Sequence, residues 1–374
     1  MDGYFGKDVF KLGFGLMRLP KLSDGKIDIE QTKKMVDIFI EGGGTYFDTA
    51  YVYDGGGSEL AAREALVERY PRDKFTLTTK LNAWIARNDE ESAKKQFDIS
   101  LERTGAGYFD YYLLHSLMKD NMGVYEKFGL WDYVKELKAE GKIKYFGFSF
   151  HDGPEVLDEL LTKHPEVDLV QLQINYADWE SPSIQSEKNY EVARKYGKSV
   201  VVMEPLRGGL LANPPQRVRD IFTAANKDIS FASWAIRYVA SMDGILTVLS
   251  GMSNIEQMED NMSYMKNFKP LTDEEKQVVK DATKALLDVK SIPCTGCGYF
   301  TEGCPMNINI PGVFQARNAD IMYEAPEAGK HQYGFRTSRG GKASECIKCC
   351  QCEDACPQHL PITELLEEAA RLYE

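Results

Sequence analysis

Apolar residues along the first 270 positions keep two alternating rhythms. Short, nearly continuous apolar runs recur at 11–18 (KLGFGLMR), 46–50 (YFDTA), 75–81 (FTLTTKL), 108–116 (YFDYYLLHS), 143–150 (IKYFGFSF), 168–176 (DLVQLQINY), 199–206 (SVVVMEPL) and 244–252 (GILTVLSGM). Runs of this kind predict strands buried on both faces, as in a parallel sheet. Between them lie stretches with apolar positions at helical spacing, among them IEQTKKMVDIFIEGG, ESAKKQFDISLERTG, PEVLDELLTKHP and FASWAIRYVAS. Several stop at Gly or before Pro, as helix ends do.

Eight such β-to-α units predict an α/β protein built on a closed (β/α)8 TIM barrel, a fold that takes about 250 residues. No G-x-G-x-x-G follows the first strand, which weighs against an open doubly wound sheet. The expected organisation is a barrel over 1–270, a linker helix over 271–290 (TDEEKQVVKDATKALLDV at its centre) and a separate domain over 291–374. From Ser291 onward the texture turns to Cys, Gly and Pro with few aliphatics. So core-poor a tail is expected to need a metal centre to hold its shape.

Charge narrows the function. The 374 residues carry a net charge of −12, which disfavours phosphate backbones and anionic membrane surfaces. No apolar stretch approaches the roughly 20 residues that span a bilayer. The opening MDGYFGKDVF has neither a basic nor an apolar signal region, so a cytoplasmic protein without nucleic-acid or membrane partners is expected.

Barrel chemistry sits at the C-terminal ends of the strands. Those ends place Asp48 after the second strand, Lys80 after the third and His115 after the fourth, with Tyr53 on the loop beyond Asp48. Each has an ordinary structural reading alone; in successive units on one rim they suit carbonyl reduction. Hydride adds to carbon while oxygen takes a proton. A tyrosine can donate it, but its reference pKa of ~10 makes it a weak acid. An adjacent Lys80 ammonium is expected to lower that value, with Asp48 holding Lys80 and a neutral His115 orienting the carbonyl oxygen.

These residues, with YFDTAYVY, TTK, YLLH, GFSFH, VQLQINY, EPLRGG and IEQMEDN in order, make the chain resemble the aldo-keto reductase family across the whole barrel. The resemblance implies Tyr53 as general acid, supported by Asp48, Lys80 and His115. It implies a nicotinamide carboxamide held by Ser149 and Gln171, with Phe150 where the motif usually has Asn. It also implies a cofactor path along Met203, Pro205, Leu206, Arg207, Gly208, Gly251, Gln257 and Asn261. Met203 stands where the family often stacks a Tyr on the ring. Gly251 and Gln257 stand where members preferring NADPH carry Lys and Arg, so NADP, NAD and a flavin all stay open. Trp84 and Trp179 are candidates for lining a substrate pocket or for plain packing.

All eight cysteines lie after Pro293. Cys346, Cys349, Cys352 and Cys356, followed by Pro357, keep the C-x2-C-x2-C-x3-C-P spacing of bacterial iron–sulfur clusters. Zinc sites more often pair two separated C-x2-C hooks, which leaves zinc as the lesser reading. In two-cluster ferredoxins the last Cys of each run serves the other cluster. That rule predicts one [4Fe–4S] site from Cys304, Cys346, Cys349 and Cys352. A second would collect Cys294, Cys297 and Cys356, with Phe300 at its empty corner. It would hold [3Fe–4S], or take Cys350 as fourth ligand unless that residue is a free thiol. His359 reads as structural. The tail resembles the ferredoxin-type 4Fe–4S domain that follows the barrel in a subgroup of bacterial and archaeal aldo-keto reductases.

The expectation is therefore a (β/α)8 barrel with a small C-terminal ferredoxin-like iron–sulfur domain. It would act on a small carbonyl/alcohol pair with NADP or NAD and exchange electrons with a carrier protein. The alternatives are a nicotinamide-binding redox sensor and a flavin- or ferredoxin-linked reductase.

Overall fold

The computed structural model of the chain describes residues 9–86, 89–294, 296 and 303–374. Eight parallel strands, β1 (Leu12–Gly15), β2 (Tyr46–Asp48), β3 (Thr76–Leu81), β4 (Phe109–Leu117), β5 (Ile143–Phe150), β6 (Leu169–Gln173), β7 (Ser199–Met203) and β8 (Ile245–Ser250), pair in chain order and close into a barrel where β1 meets β8. Several strands end before the apolar runs do. Leu16–Arg18 leaves β1 as a 3-10 turn, and Glu204–Leu206 leaves β7, so these residues become rim rather than sheet.

Side chains alternate between two cores, as period-two strands require. On β4, Tyr111 and Leu113 face the barrel interior with Tyr46, Leu169, Val201 and Leu249. Tyr112 and Leu114 face the surrounding helices, joined there by Phe109 at the start of the strand, which departs from the alternation. Inside, Tyr111 packs against Tyr46 and Tyr145 with ring centroids 5.1 and 5.5 Å apart. The interior is thus filled, and ligand space lies at the mouths.

Local chemistry sets the helix ends. Asp28, Asp89, Ser230 and Asn254 each accept a hydrogen bond from a backbone N–H three residues on, the usual N-cap arrangement. Gly105 closes Glu90–Thr104 in the left-handed conformation. The helix that follows β2 continues from Gly57–Ala62 into a π-helical turn over Arg63–Val67.

The chain divides into two compact units. One comprises residues 1–213 and 226–279; the other comprises 214–225 and 280–374. The insertion Gln216–Ala225 therefore belongs with the tail, where Arg217 donates to the carbonyls of Ala285 (3.0 Å) and Met322 (2.5 Å). The tail departs from the core-poor expectation. Helices Ile310–Tyr323, Pro326–Thr337 and Ile362–Tyr373 enclose Ile308, Ile310, Val313, Phe314, Tyr333, Leu360, Ile362, Leu366 and Tyr373. Burying each large aliphatic or aromatic side chain stabilises by about 1.5–3 kcal/mol, so the tail has an apolar core as well as a cysteine site. Among the described residues, no helix is long and apolar enough to cross a membrane.

Candidate active site and cluster cavity

At the C-terminal mouth of the barrel, the ends of β2, β3 and β4 bring the expected residues together. Lys80, on β3, is fully buried and donates from Nζ to Asp48 Oδ1 at 2.5 Å, to the Thr49 carbonyl at 2.8 Å and to Tyr53 Oη at 3.3 Å. Three acceptors match the three donors of an ammonium. Asp48 Oδ2 accepts in turn from Gln171 Nε2 at 3.2 Å. The His115 ring stands edge-on to Tyr53, centroids 5.8 Å apart, and its buried Nδ1 has no hydrogen-bond partner among the described residues.

Electrostatics correct one expectation. Burial pushes against the Lys80 ammonium, but Asp48 and Tyr53 more than offset it and raise its pKa, so Lys80 stays charged. For Tyr53, burial outweighs the pull of Lys80, and Asp48 and Glu204 add to the rise, so the phenol titrates above its usual value rather than below it. Desolvation is the larger effect because the phenolate would lose water while facing one ammonium and two carboxylates. Burial and the nearby Lys80 charge hold the His115 pKa well below 6.5, which keeps the imidazole neutral.

A cleft of about 640 Å³ opens beside Tyr53 and Asp48. Met203, Pro205, Leu206, Gly208, Gly251, Gln257 and Asn261 all line it, which is where the cofactor path was expected. The loop after β7 is built to bring its backbone close. Gly208 and Gly209 take φ of 67° and 99°, and Glu204 and Arg207 also adopt left-handed conformations. Asn175 Nδ2 holds the Glu204 carbonyl at 3.1 Å, and Glu204 Oε2 accepts from the Gly208 N–H at 2.6 Å.

Three expected cofactor residues are not on the cleft wall. The Arg207 guanidinium pairs instead with buried Asp178. Ser149 and Gln171 sit side by side in register on β5 and β6. Ser149 Oγ accepts from the Ser116 N–H at 2.7 Å. Trp179 packs against Tyr190 and Tyr238, and Trp84 is exposed on the turn after β3. Sequence reasoning missed Arg18, Glu204, Glu256 and Asp260, which also line the cleft. Arg18 was hidden inside an apolar run read as strand; the signal was the charge itself, directly after a strand end.

In the second unit, Cys304, Cys346, Cys349 and Cys352 line one cavity of about 160 Å³. Ile308, Ile310 and Leu366 form its buried wall. Zinc needs its ligands to converge at about 2.0–2.3 Å from one point; a cavity this size suits a multi-iron cluster. Among the described residues, no three Cys, His, Asp or Glu side chains converge as on a single ion. Cys350, at φ 59°, also faces the cavity. Cys356 is buried in the tail core and Cys294 packs against it. Cys297 and Phe300 lie outside the described residues, so the expected second site is not described.

Buried Asp48 and Lys80 with half-buried Tyr53 and His115, at the mouth of an eight-stranded barrel beside a cleft, suit the chemistry of an oxidoreductase. The chain belongs to the aldo/keto reductase family, whose pattern matches residues 11–284. Residues 293–360 match the 4Fe-4S dicluster domain. Among curated relatives, an uncharacterized oxidoreductase, YqkF, of Bacillus subtilis is 26% identical over 308 residues, covering 74% of this chain and 94% of that protein. Among solved structures, the holo form of aldo-keto reductase AKR11C1 from Bacillus halodurans is 27% identical, with a TM-score of 0.61 over 76% of this chain and 96% of that one. An aldo-keto reductase from Klebsiella pneumoniae in complex with NADPH shares the fold at 23% identity, with a TM-score of 0.57 over 74% of this chain and 93% of that one.

Proposed function

We propose that the barrel interconverts a carbonyl and an alcohol by hydride transfer, with Tyr53 as the proton donor and acceptor. The observation that carries this reading is the Lys80 ammonium, 3.3 Å from Tyr53 Oη and 2.5 Å from Asp48 Oδ1, with Tyr53 and Asp48 both on the cleft wall. A nicotinamide nucleotide bound in the cleft would supply the hydride. Charge develops on the substrate oxygen as hydride reaches its carbon. Tyr53, neutral at neutral pH, gives that oxygen a proton, and Lys80 stabilises the phenolate that remains. Neutral His115 orients the oxygen. Asp48 keeps Lys80 charged and in place and fixes Gln171 through its second oxygen. In the alcohol-to-carbonyl direction the same groups act in reverse.

Hydride chemistry needs no iron, so the second unit has a separate task. We assign it one-electron exchange with a carrier protein. A cluster held by Cys304, Cys346, Cys349 and Cys352 would supply the one-electron step. Part of the cavity wall supports this role: Cys349 and Gln351 are exposed, and Ile347 is 61% exposed.

The test of the hydride reading offers the purified protein a panel of aldehydes and ketones with reduced nicotinamide nucleotide deuterated at the transferring position. The expected product carries deuterium on its carbinol carbon. No nucleotide consumption with any carbonyl would favour a redox sensor instead.

A further inference from the structure

The cleft has an unusual charge balance. Among its described lining residues, Arg18 is the only lysine or arginine, whereas Asp48, Glu204, Glu256 and Asp260 are carboxylates. The Arg18 side chain lies across the cleft between two loops. A Cβ on Gly251, after β8, would come within 3.3–3.5 Å of its aliphatic stem, and one on Gly208, after β7, would lie 3.7 Å from Nη2. Its guanidinium is 3.6 Å from Glu204 Oε1, an ion pair without a hydrogen bond, and the side chain is 49% exposed. An anionic bridge passing between the two loops therefore meets this guanidinium.

The part of the cleft wall around Ser230 and Asn254 differs. Two helices, Phe231–Ala240 and Ile255–Met265, begin there, and helix starts ordinarily favour phosphate. Here several of their donors are already taken. Asn254 Oδ1 accepts from the Gln257 N–H at 2.9 Å, Gln257 Oε1 from the Ser253 N–H at 2.7 Å, and Ser230 Oγ from the Ser233 N–H at 3.1 Å. Glu256 stands exposed in the first turn of one helix, and Asp260 accepts from Ser230 Oγ at 2.8 Å.

We propose that the cleft selects NADH over NADPH. Arg18 balances the diphosphate common to both nucleotides, while Glu256 and Asp260 turn away the additional 2′-phosphate and suit a 2′-hydroxyl. A carboxylate accepts from a ribose hydroxyl but repels a phosphate dianion, which needs cationic or N–H donors. This inference rests on the hydride-transfer reading, since it concerns the nucleotide that reading requires.

The test is equilibrium binding of NADH and of NADPH to the full chain, followed by tryptophan fluorescence, with melting temperatures confirming that variants fold. NADH should bind about tenfold or more tighter than NADPH. Glu256→Lys should move that ratio toward NADPH by about tenfold or more. Arg18→Gln should weaken both nucleotides alike and flatten their salt dependence. NADPH binding as tightly as NADH would overturn the selectivity and leave hydride transfer standing. Binding of neither would overturn both. An unchanged ratio in Glu256→Lys, or unchanged affinities in Arg18→Gln, would overturn the role given to that residue.

Discussion

At the scale of single residues, the site works because charges are buried in a matched set. Lys80 and Asp48 are each expensive to bury alone, and each is compensated by the other and by a neighbouring polar group. Lys80→Met should destabilise the barrel by about 3–5 kcal/mol, because it leaves Asp48 buried without its counter-charge; urea unfolding measures this. The double variant Lys80→Met/Asp48→Asn should recover a large part of the loss. The pH dependence follows from the directions of the shifts. Tyr53 titrates above its usual value, so carbonyl reduction should stay level through neutral and mildly alkaline pH and fall only as the phenol ionises. Alcohol oxidation should rise over that same alkaline range. His115 stays neutral well below pH 6.5, so an inflection near that pH in the reduction profile would contradict its assigned role. The four tetrad positions were legible because three of them close apolar strands, where a charged or ring nitrogen-bearing residue has a direct cause. The rise of the Tyr53 pKa was not legible, because the depth of burial depends on the loops that cover it.

At the scale of elements, the loops after β1, β7 and β8 line the cleft beside Tyr53 and were read only in part. Their apolar runs continue past the point where the backbone leaves the sheet, so strand ends and rim residues look alike in sequence. The loop after β7 concentrates left-handed conformations, at Glu204, Arg207, Gly208 and Gly209. Gly208→Ala should therefore cost about 1–2 kcal/mol of strain and weaken nucleotide binding; titration of the variant with NADH checks the second effect. The tail helices were missed for a different reason. Ile310–Tyr323 buries Ile310, Val313, Phe314, Ala316, Ala319 and Tyr323 on more than one side, so it shows no single apolar stripe. The cysteine spacing, by contrast, was legible because three of the four cavity cysteines, Cys346, Cys349 and Cys352, lie close together in the chain. Leu366→Ala, which opens both the tail core and the cluster cavity wall, should destabilise that unit by about 2–5 kcal/mol. Thermal loss of the visible cluster absorption at lower temperature reports it.

At the scale of the whole molecule, we assign one chain two chemistries: two-electron hydride transfer in the barrel and one-electron exchange in the cysteine-rich unit. The alternation of strands and helices made the barrel plain. The assignment of 214–225 to the second unit was not, because only tertiary packing joins that insertion to residues after 280. Iron removal should separate the two activities. Chelated protein that keeps its fold should still reduce carbonyls with its nucleotide but no longer pass electrons to a one-electron dye. Anaerobic iron and sulfide analysis gives the cluster count directly. The most direct test of the central claim is Tyr53→Phe, measured for both turnover and nucleotide affinity. The account predicts a loss of roughly 10²–10⁴-fold in kcat with the nucleotide Kd unchanged. Turnover at the wild-type rate would mean that some other group delivers the proton.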